Sequence, residues 1–318
     1  SSYPIACSFS RYDLYRHMEG GGTIVITKSQ FWAILLSIVT CCSLGFAVEI
    51  SLPQRVPVGQ PFLLRIQSRN RFAQVKIGWL GKKSQAPGQK VLETPLWQAD
   101  FLLGTDVRKD KAGPKTLYVK AFFANGSHER KLEVLITAKS YPVQRLRVSK
   151  HLVSLSRSSL ARVRREGAVI RKLFNTETTA TKWSFPFQRP AEGAVSGHYG
   201  LRRYFNGLPR SPHSGVDFAG KSGDPIKAIN NGRVILVSNH FFAGNGVYLD
   251  HGSGLISGYF HLRKPLVKVG QIVRKGQVVG LMGATGRSTR PHLHLSLYSL
   301  GRAINSLPLF DENEPFWQ

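Results

Sequence analysis

Cysteine is almost missing from this chain: Cys7, Cys41 and Cys42 are the only three. That count excludes a disulfide framework and a cysteine zinc finger. Acids are scarce too, with 18 Asp+Glu against 44 Lys+Arg, a formal charge of +26. Only 19% of residues are charged, so the imbalance is a shortage of acids more than a flood of bases. Such a surface suits an anionic environment: nucleic acid, phospholipid or an anionic cell envelope. What the chain does have is apolar mass. Of its 318 residues 42% are hydrophobic and 10% aromatic. That is enough for cores in roughly two domains and excludes wholesale disorder.

The N-terminus points to export. Lys28 precedes an uncharged apolar run from Phe31 to Ala47, short for a membrane span and close to a signal-peptide core. Gly45 and Ala47 are small where a signal peptidase reads, so cleavage is expected after Ala47. The alternatives are an uncleaved membrane anchor or a lipoprotein site at Cys41, the latter poorly supported by Thr40 before it. Residues 1–17 read as an extension ahead of Met18, a better signal-peptide opening. All three cysteines precede the expected cut, which suits an oxidising compartment. Residues 1–47 hold Arg11, Arg16 and Lys28 against Asp13 and Glu19, leaving +25 on the mature chain. Export argues against nucleic acid as the target of that charge. The expected location is the periplasm or cell envelope of a bacterium, with membrane contact only through the signal peptide or an uncleaved anchor.

Beyond the signal the texture changes twice. Residues 48–138 alternate short β-prone runs (61–67, 73–80, 116–123, 131–138) with turn-like KKSQAPGQ, VRKDKAGPK and NGSHE, as in a small antiparallel β-sandwich. It carries no cluster of reactive residues and reads as a spacer or binding module. Residues 139–183 form a connector. Within it Leu160, Val163, Gly167, Ile170 and Phe174 recur at helical spacing, which predicts a helix over 158–174 capped by Ser158 or Ser159. Its RVRRE run reads as a solvated face. Residues 184–305 hold 19 of the 31 glycines, between Gly193 and Gly301, and alternate short β runs with glycine turns. The whole chain is therefore expected to be all-β, with a C-terminal antiparallel hairpin domain after the sandwich and connecting helix, and a tail over 306–318.

Seven of the ten histidines lie between His198 and His294. In PHLHL, His292 and His294 alternate with leucines, so on a strand both imidazoles line one face. His213 and Asp217 are four apart, about 13 Å on an ideal strand. That is too far for two zinc bonds of about 2 Å unless the chain bends, and Gly215 offers the bend. Two imidazoles and one carboxylate make a three-ligand zinc set with a fourth position for water. His261, in YFHL, and one of the H-x-H pair remain for proton handling or charge stabilisation. His128, His151, His198, His240 and His251 sit in surface or turn contexts, with His251 read as structural. The stretch GVDFAGKS matches a P-loop letter for letter, but Gly223, Asp224 and Pro225 forbid the helix that motif needs. The hairpin VKVGQIVRKGQVVG has the turns of a biotinyl or lipoyl carrier. The chain has only Met18 and Met282, not a lysine flanked by methionines.

With these residues in view, the stretch 185–305 resembles the lysostaphin-type, LytM-domain zinc metallopeptidases that cut peptidoglycan. The resemblance rests on SGHYGLRRYFNGLPRSPHSGVDFAG, GDPIKAINNGRV, YFHL, VGQIVRKGQVVGLMGATGRST and PHLHL. It implies His213, Asp217 and His294 as ligands of one zinc ion per chain, and His261 and His292 as catalytic histidines beside it. Arg290 stands where the family often has glycine, and could narrow the groove or bind an anionic group. The implied activity is metal-assisted hydrolysis of murein cross-links, with peptidoglycan peptide stems and anionic cell-envelope polymers as partners. The alternative is a non-catalytic LytM-domain activator of other wall hydrolases, which lacks ligands that this sequence retains.

Overall fold

Alternation of buried and outward side chains builds the N-terminal half. The structure, a computed structural model, describes residues 39–41, 47–146, 156–175 and 183–311. These all fall in one compact unit, Leu35–Gln318. Of the expected signal segment only Val39–Cys41, a short strand paired with Val48–Ser51, and Ala47 are described. His151, parts of the connector and the end of the tail also lie outside the described residues. Among the described residues no helix is long and apolar enough to cross a membrane.

Two five-stranded sheets face each other. The first runs Val39–Cys41, Val48–Ser51, Pro61–Ser68, Trp97–Gly104, Gln89–Lys90. The second runs Arg55–Pro57, Gly126–Thr137, Gly113–Phe123, Phe72–Trp79, Lys82–Pro87. In strand Pro61–Ser68 the residues Phe62, Leu64 and Ile66 point inward at period two and meet Val75, Ile77, Trp79 and Leu117 from the other sheet in one buried cluster. The Trp79 indole meets Phe62 edge-on at 5.4 Å and donates its N–H to the Gly104 carbonyl at 2.8 Å. Two expectations are corrected. KKSQAPGQ is not a turn: Lys82–Pro87 is an edge strand that buries only Ser84 and Ala86. The sandwich is not wholly antiparallel either, because Arg55–Pro57 pairs parallel with Gly126–Thr137.

The single described α-helix, Arg157–Leu173, starts one residue before the expected span. Its cap is Ser156, whose hydroxyl accepts from Ser159 N–H at 3.1 Å, rather than Ser158 or Ser159. Ile170, Leu173 and Phe174 pack on Tyr248, Ile256, Phe260 and Tyr298, while Leu160 stays 41% exposed. Nor is RVRRE purely a solvated face. Arg162 donates to the Asn239 carbonyl at 3.0 Å, and Glu166 accepts from the Phe241 N–H at 3.0 Å, so the run clamps the 239–241 turn.

The C-terminal half is an antiparallel sheet in the order Val195–Gly197, Val216–Ala219, His292–Ser299, Leu255–Leu262, Gly244–Gly252, Gly232–His240, Ile272–Val273. A smaller sheet joins Pro225–Lys227, Val278–Leu281 and Lys264–Pro265. A hairpin of Arg202–Phe205 and Leu208–Pro209, extended by Val143–Leu146, stands beside them. GVDFAGKS becomes strand Val216–Ala219 and a turn, with no helix after Lys221. The two halves are joined by polar contacts as well as packing. Asp106, fully buried, accepts from Ala303 N–H at 3.3 Å, and Ser299 donates to the Leu102 carbonyl at 2.8 Å.

Candidate metal centre

Strand His292–Ser299 occupies the middle of the large sheet and carries the densest chemistry. Leu293, Leu295 and Leu297 are fully buried on one face, which turns His292, His294 and Ser296 to the other. Strand Val216–Ala219 pairs with it so that Asp217 lies directly opposite His294. Cross-strand partners are close, about 4.5–5.5 Å between Cβ atoms, so the carboxylate meets the imidazole by register alone. His213 lies three residues before that strand. The chain bends at Gly215 as expected, and that glycine has a second role. A Cβ there would sit 2.3 Å from the Leu295 carbonyl and 2.7 Å from His294 Nε2, so glycine makes room for the ring. Gly197 likewise leaves space for Asp217, since a Cβ would come within 2.3 Å of its Oδ2.

Three ligand-capable atoms converge. His213 Nε2 lies 3.0 Å from Asp217 Oδ1 and 3.0 Å from His294 Nδ1, and His294 Nδ1 lies 2.8 Å from Asp217 Oδ1. Tetrahedral zinc with bonds of about 2.0–2.2 Å separates its ligands by roughly 3.3 Å, within a few tenths of an ångström of this triangle. The proton inventory also fits a cation. His213 Nδ1–H donates to the His198 carbonyl at 2.9 Å, which leaves Nε2 as a lone pair. Asp217 offers only lone pairs. His294 has a single ring proton when neutral, and its Nε2 already faces Ser296 Oγ at 2.9 Å. More acceptors than donors meet at one buried point, the condition a metal ion satisfies. Burial disfavours charge on Asp217, yet hydrogen bonds with His213 and His294 outweigh it and hold the carboxyl well below the usual range. Burial is also the main reason the His294 pKa is lowered.

The two remaining histidines of interest border this triangle. His261 is buried, with its ring centroid 4.7 Å from that of His292 and 6.1 Å from that of His294. Its Nδ1–H donates to the Thr285 carbonyl at 2.8 Å, so Nε2 carries the lone pair. Burial, reinforced by His294 and His292, lowers its pKa to about 4. Its φ of 61° is in the left-handed region, a conformation a non-glycine residue holds only where the fold imposes it. His292 uses Nδ1–H in the same way, donating to the Arg290 carbonyl at 2.9 Å, and its Nε2 lies 3.9 Å from Asp217 Oδ1. All five expected residues are thus brought together. The Arg290 side chain is exposed, and what reaches the centre is its carbonyl.

The other histidines divide differently from expectation. His198 is exposed, but His128, His240 and His251 are buried. His251 is fully enclosed between the Asn231 carbonyl and Ser257 Oγ, each at 2.7 Å, as a structural residue should be. Composition and spacing pointed to none of the groups that orient the rings: Ser296, the carbonyls of His198 and Thr285, and Arg203, whose Nη2 lies 3.6 Å from Asp217 Oδ2. Only Ser296 left a trace, as the next member of the two-residue alternation after His292 and His294.

An all-β domain with a convergent His–Asp–His centre defines a class. Residues 211–306 match the family described as Peptidase family M23. A crystal structure from Pseudomonas aeruginosa, described as an M23 peptidase, is similar at a TM-score of 0.58 and 30% identity, over 78% of this chain and 92% of that one. The chain belongs to peptidase family M23. Peptidoglycan DD-endopeptidase ShyA of Vibrio cholerae is 37% identical over 144 residues, 45% of this chain and 31% of that protein. Lysostaphin of Staphylococcus simulans is 37% identical over 119 residues, 37% of this chain and 23% of that protein. The chain spans less than a third of the length of these two curated relatives.

Proposed function

We propose that this chain is an exported zinc metalloendopeptidase that hydrolyses peptide cross-links of peptidoglycan. The observation that carries the reading is the convergence of His213 Nε2, Asp217 Oδ1 and His294 Nδ1 within 3.0 Å of one another, flanked by His261 and His292. Those three residues would hold one zinc ion. When bound, zinc supplies Lewis acidity toward the scissile carbonyl and the attacking water. The protein's own part is proton handling. The Thr285 carbonyl fixes the His261 tautomer, and burial keeps the ring neutral at pH 7, so Nε2 is ready to accept a proton from water. His292, held through Nδ1 by the Arg290 carbonyl, presents its Nε2 beside the His261 ring and donates to the developing oxyanion or the leaving amine once protonated. The name of the relative ShyA, a peptidoglycan DD-endopeptidase, supports a wall-peptide substrate.

Purified protein should contain about one zinc per chain and shorten the cross-linked muropeptides released from isolated sacculi. A zinc-loaded, folded protein that leaves every cross-link intact would return the non-catalytic activator reading. The net charge of +26 supports retention on anionic envelope polymers. Binding to sacculi should then weaken steeply between 0.05 and 0.5 M salt, since the Debye length is already about 8 Å at 0.15 M.

A further inference from the structure

The turn Phe241–Ala243 joins strand Gly232–His240 to strand Gly244–Gly252, and each of its three residues lends one backbone group to another element. The Ala243 carbonyl accepts from the His261 N–H at 2.9 Å. The Phe242 carbonyl accepts from the Arg287 N–H at 2.8 Å, two residues past the Thr285 carbonyl that fixes the His261 tautomer. Just after the turn the Asn245 N–H donates to Thr285 Oγ1 at 2.9 Å, and a Cβ at Gly244 would collide with Thr285. The turn therefore grips His261 twice, at its own N–H and through the residue that holds its ring. The third group, the Phe241 N–H, goes elsewhere. It donates to both oxygens of Glu166, at 3.1 and 3.0 Å, on helix Arg157–Leu173.

That helix carries six Arg or Lys residues against one acid, Glu166. The acid is turned inward, with its side chain only 18% exposed. Arg162 Nε, one turn earlier, donates to it at 2.7 Å, and Arg162 Nη2 donates to the Asn239 carbonyl at 3.0 Å. One Arg–Glu pair thus closes on both ends of the segment 239–241. A left-handed φ such as that of His261 persists only where surrounding bonds over-determine it, and the Ala243 carbonyl supplies one of those bonds. We propose that Glu166 is a positioning residue for His261: it acts by fixing the turn whose carbonyl holds the His261 backbone. The inference rests on the endopeptidase reading and deepens it, because it adds to the working site a helix outside residues 211–306. Without the carboxylate the Phe241 N–H loses its acceptor, the turn loosens, and His261 Nε2 drifts from the place where it meets a proton. Misplacing a reacting group by about 1 Å costs up to about 10²-fold in rate.

The test compares Glu166→Ala, Glu166→Gln and wild type as full chains of equal zinc content. Cleavage of a cross-linked stem-peptide dimer by Glu166→Ala should fall about 10-fold in kcat with KM within about 2-fold, the pattern of an interaction needed only in the transition state. Glu166→Gln keeps one side-chain oxygen for the Phe241 N–H and should recover most of that loss. Arg165→Gln removes an exposed charge from the same helix and should behave as wild type, which separates positioning from helix charge. The second readout needs no catalysis. In amide hydrogen exchange the His261 N–H should exchange about 10-fold faster in Glu166→Ala, while the Leu295 N–H, within strand His292–Ser299, keeps its wild-type rate. A residue serving only stability would speed both amides and lower the melting temperature, with kcat per folded molecule unchanged; that result overturns the proposal. Slower cleavage with an unaltered His261 exchange rate overturns it too, because the turn would not be the route. If wild type cuts no dimer, it is the endopeptidase reading that fails, and the exchange comparison alone then decides whether Glu166 holds the His261 backbone. Should Glu166→Ala not fold, Arg162→Gln, which unties the same turn at Asn239, is read in its place by the same two measurements.

Discussion

The two halves of the molecule are built from the same element, the β-strand in mostly antiparallel pairing, yet they bury different things. The sandwich buries five polar side chains, Ser68, Ser84, Thr105, Asp106 and His128, of which Asp106 is tied to Arg108 and the backbone. Among the described residues the C-terminal half buries twelve, including His213, Asp217, His240, His251 and His261. Burying a polar group costs free energy unless it is bonded, so a fold accumulates such groups only where partners are assembled for them. The comparison separates a half whose strands serve packing from one whose central strand also serves chemistry.

Substitutions should break that contrast in graded steps. The largest effect is expected from Asp217→Ala, which removes one of three ligand groups. Zinc should be lost, and murein hydrolysis with it, by more than the roughly 10–100-fold typical of losing an outer partner. The variant should still fold, but metal-free it should melt below the metal-free wild type at neutral pH, because the contacts of His213 and His294 with the Asp217 carboxylate are lost. Metal retained at full occupancy in Asp217→Ala would sink the ligand assignment. Phe62→Ala acts on the other half. Removing a fully buried ring should lower stability by about 3–5 kcal/mol in denaturant titrations, while the fraction still folded keeps its zinc.

His261→Ala sits between these. It should keep zinc and folding yet slow hydrolysis by about 10²-fold, the contribution of a positioned acid–base group. The same residue gives a pH signature. Its folded pKa of about 4 lies below the ordinary value of 6.5, so between those limits the unfolded chain binds the extra proton. Metal-free protein should therefore lose stability as pH falls from about 6.5 to about 4, and His261→Gln should flatten that slope; an unchanged slope would mean other groups carry it. The smallest effect is expected from Ser296→Ala, which takes away the hydroxyl facing His294 Nε2. It should weaken zinc binding by roughly 10-fold, measurable by competition with a chelator, and leave the melting temperature within a few degrees.

How far the sequence reaches can be judged residue by residue. His292, His294 and the leucines between them were legible because a strand's two-residue period is local. Strand Lys82–Pro87 was not, because its inward residues are only Ser84 and Ala86 and nothing in KKSQAPGQ alternates in hydropathy. The helix was legible as a stripe, but its cap was misplaced by two or three residues because three serines, Ser156, Ser158 and Ser159, compete within one turn. His128 and His240 looked like surface residues because their burial depends on which strands and helix cover them, information absent from their neighbours in the chain.

By itself the sequence determined the all-β class and the period-two alternation that sets His292 and His294 on one face of a strand, since composition, glycine turns and period-two patterns act over a few residues. Tertiary structure alone decided that His213, 81 residues from His294, meets it at 3.0 Å, and that Arg203 leans on Asp217. It also decided that the carbonyls of His198, Thr285 and Arg290 fix three imidazole tautomers. Those contacts rest on strand register and loop closure across long stretches of chain, and on backbone groups that every residue shares, so no local pattern of side chains encodes them.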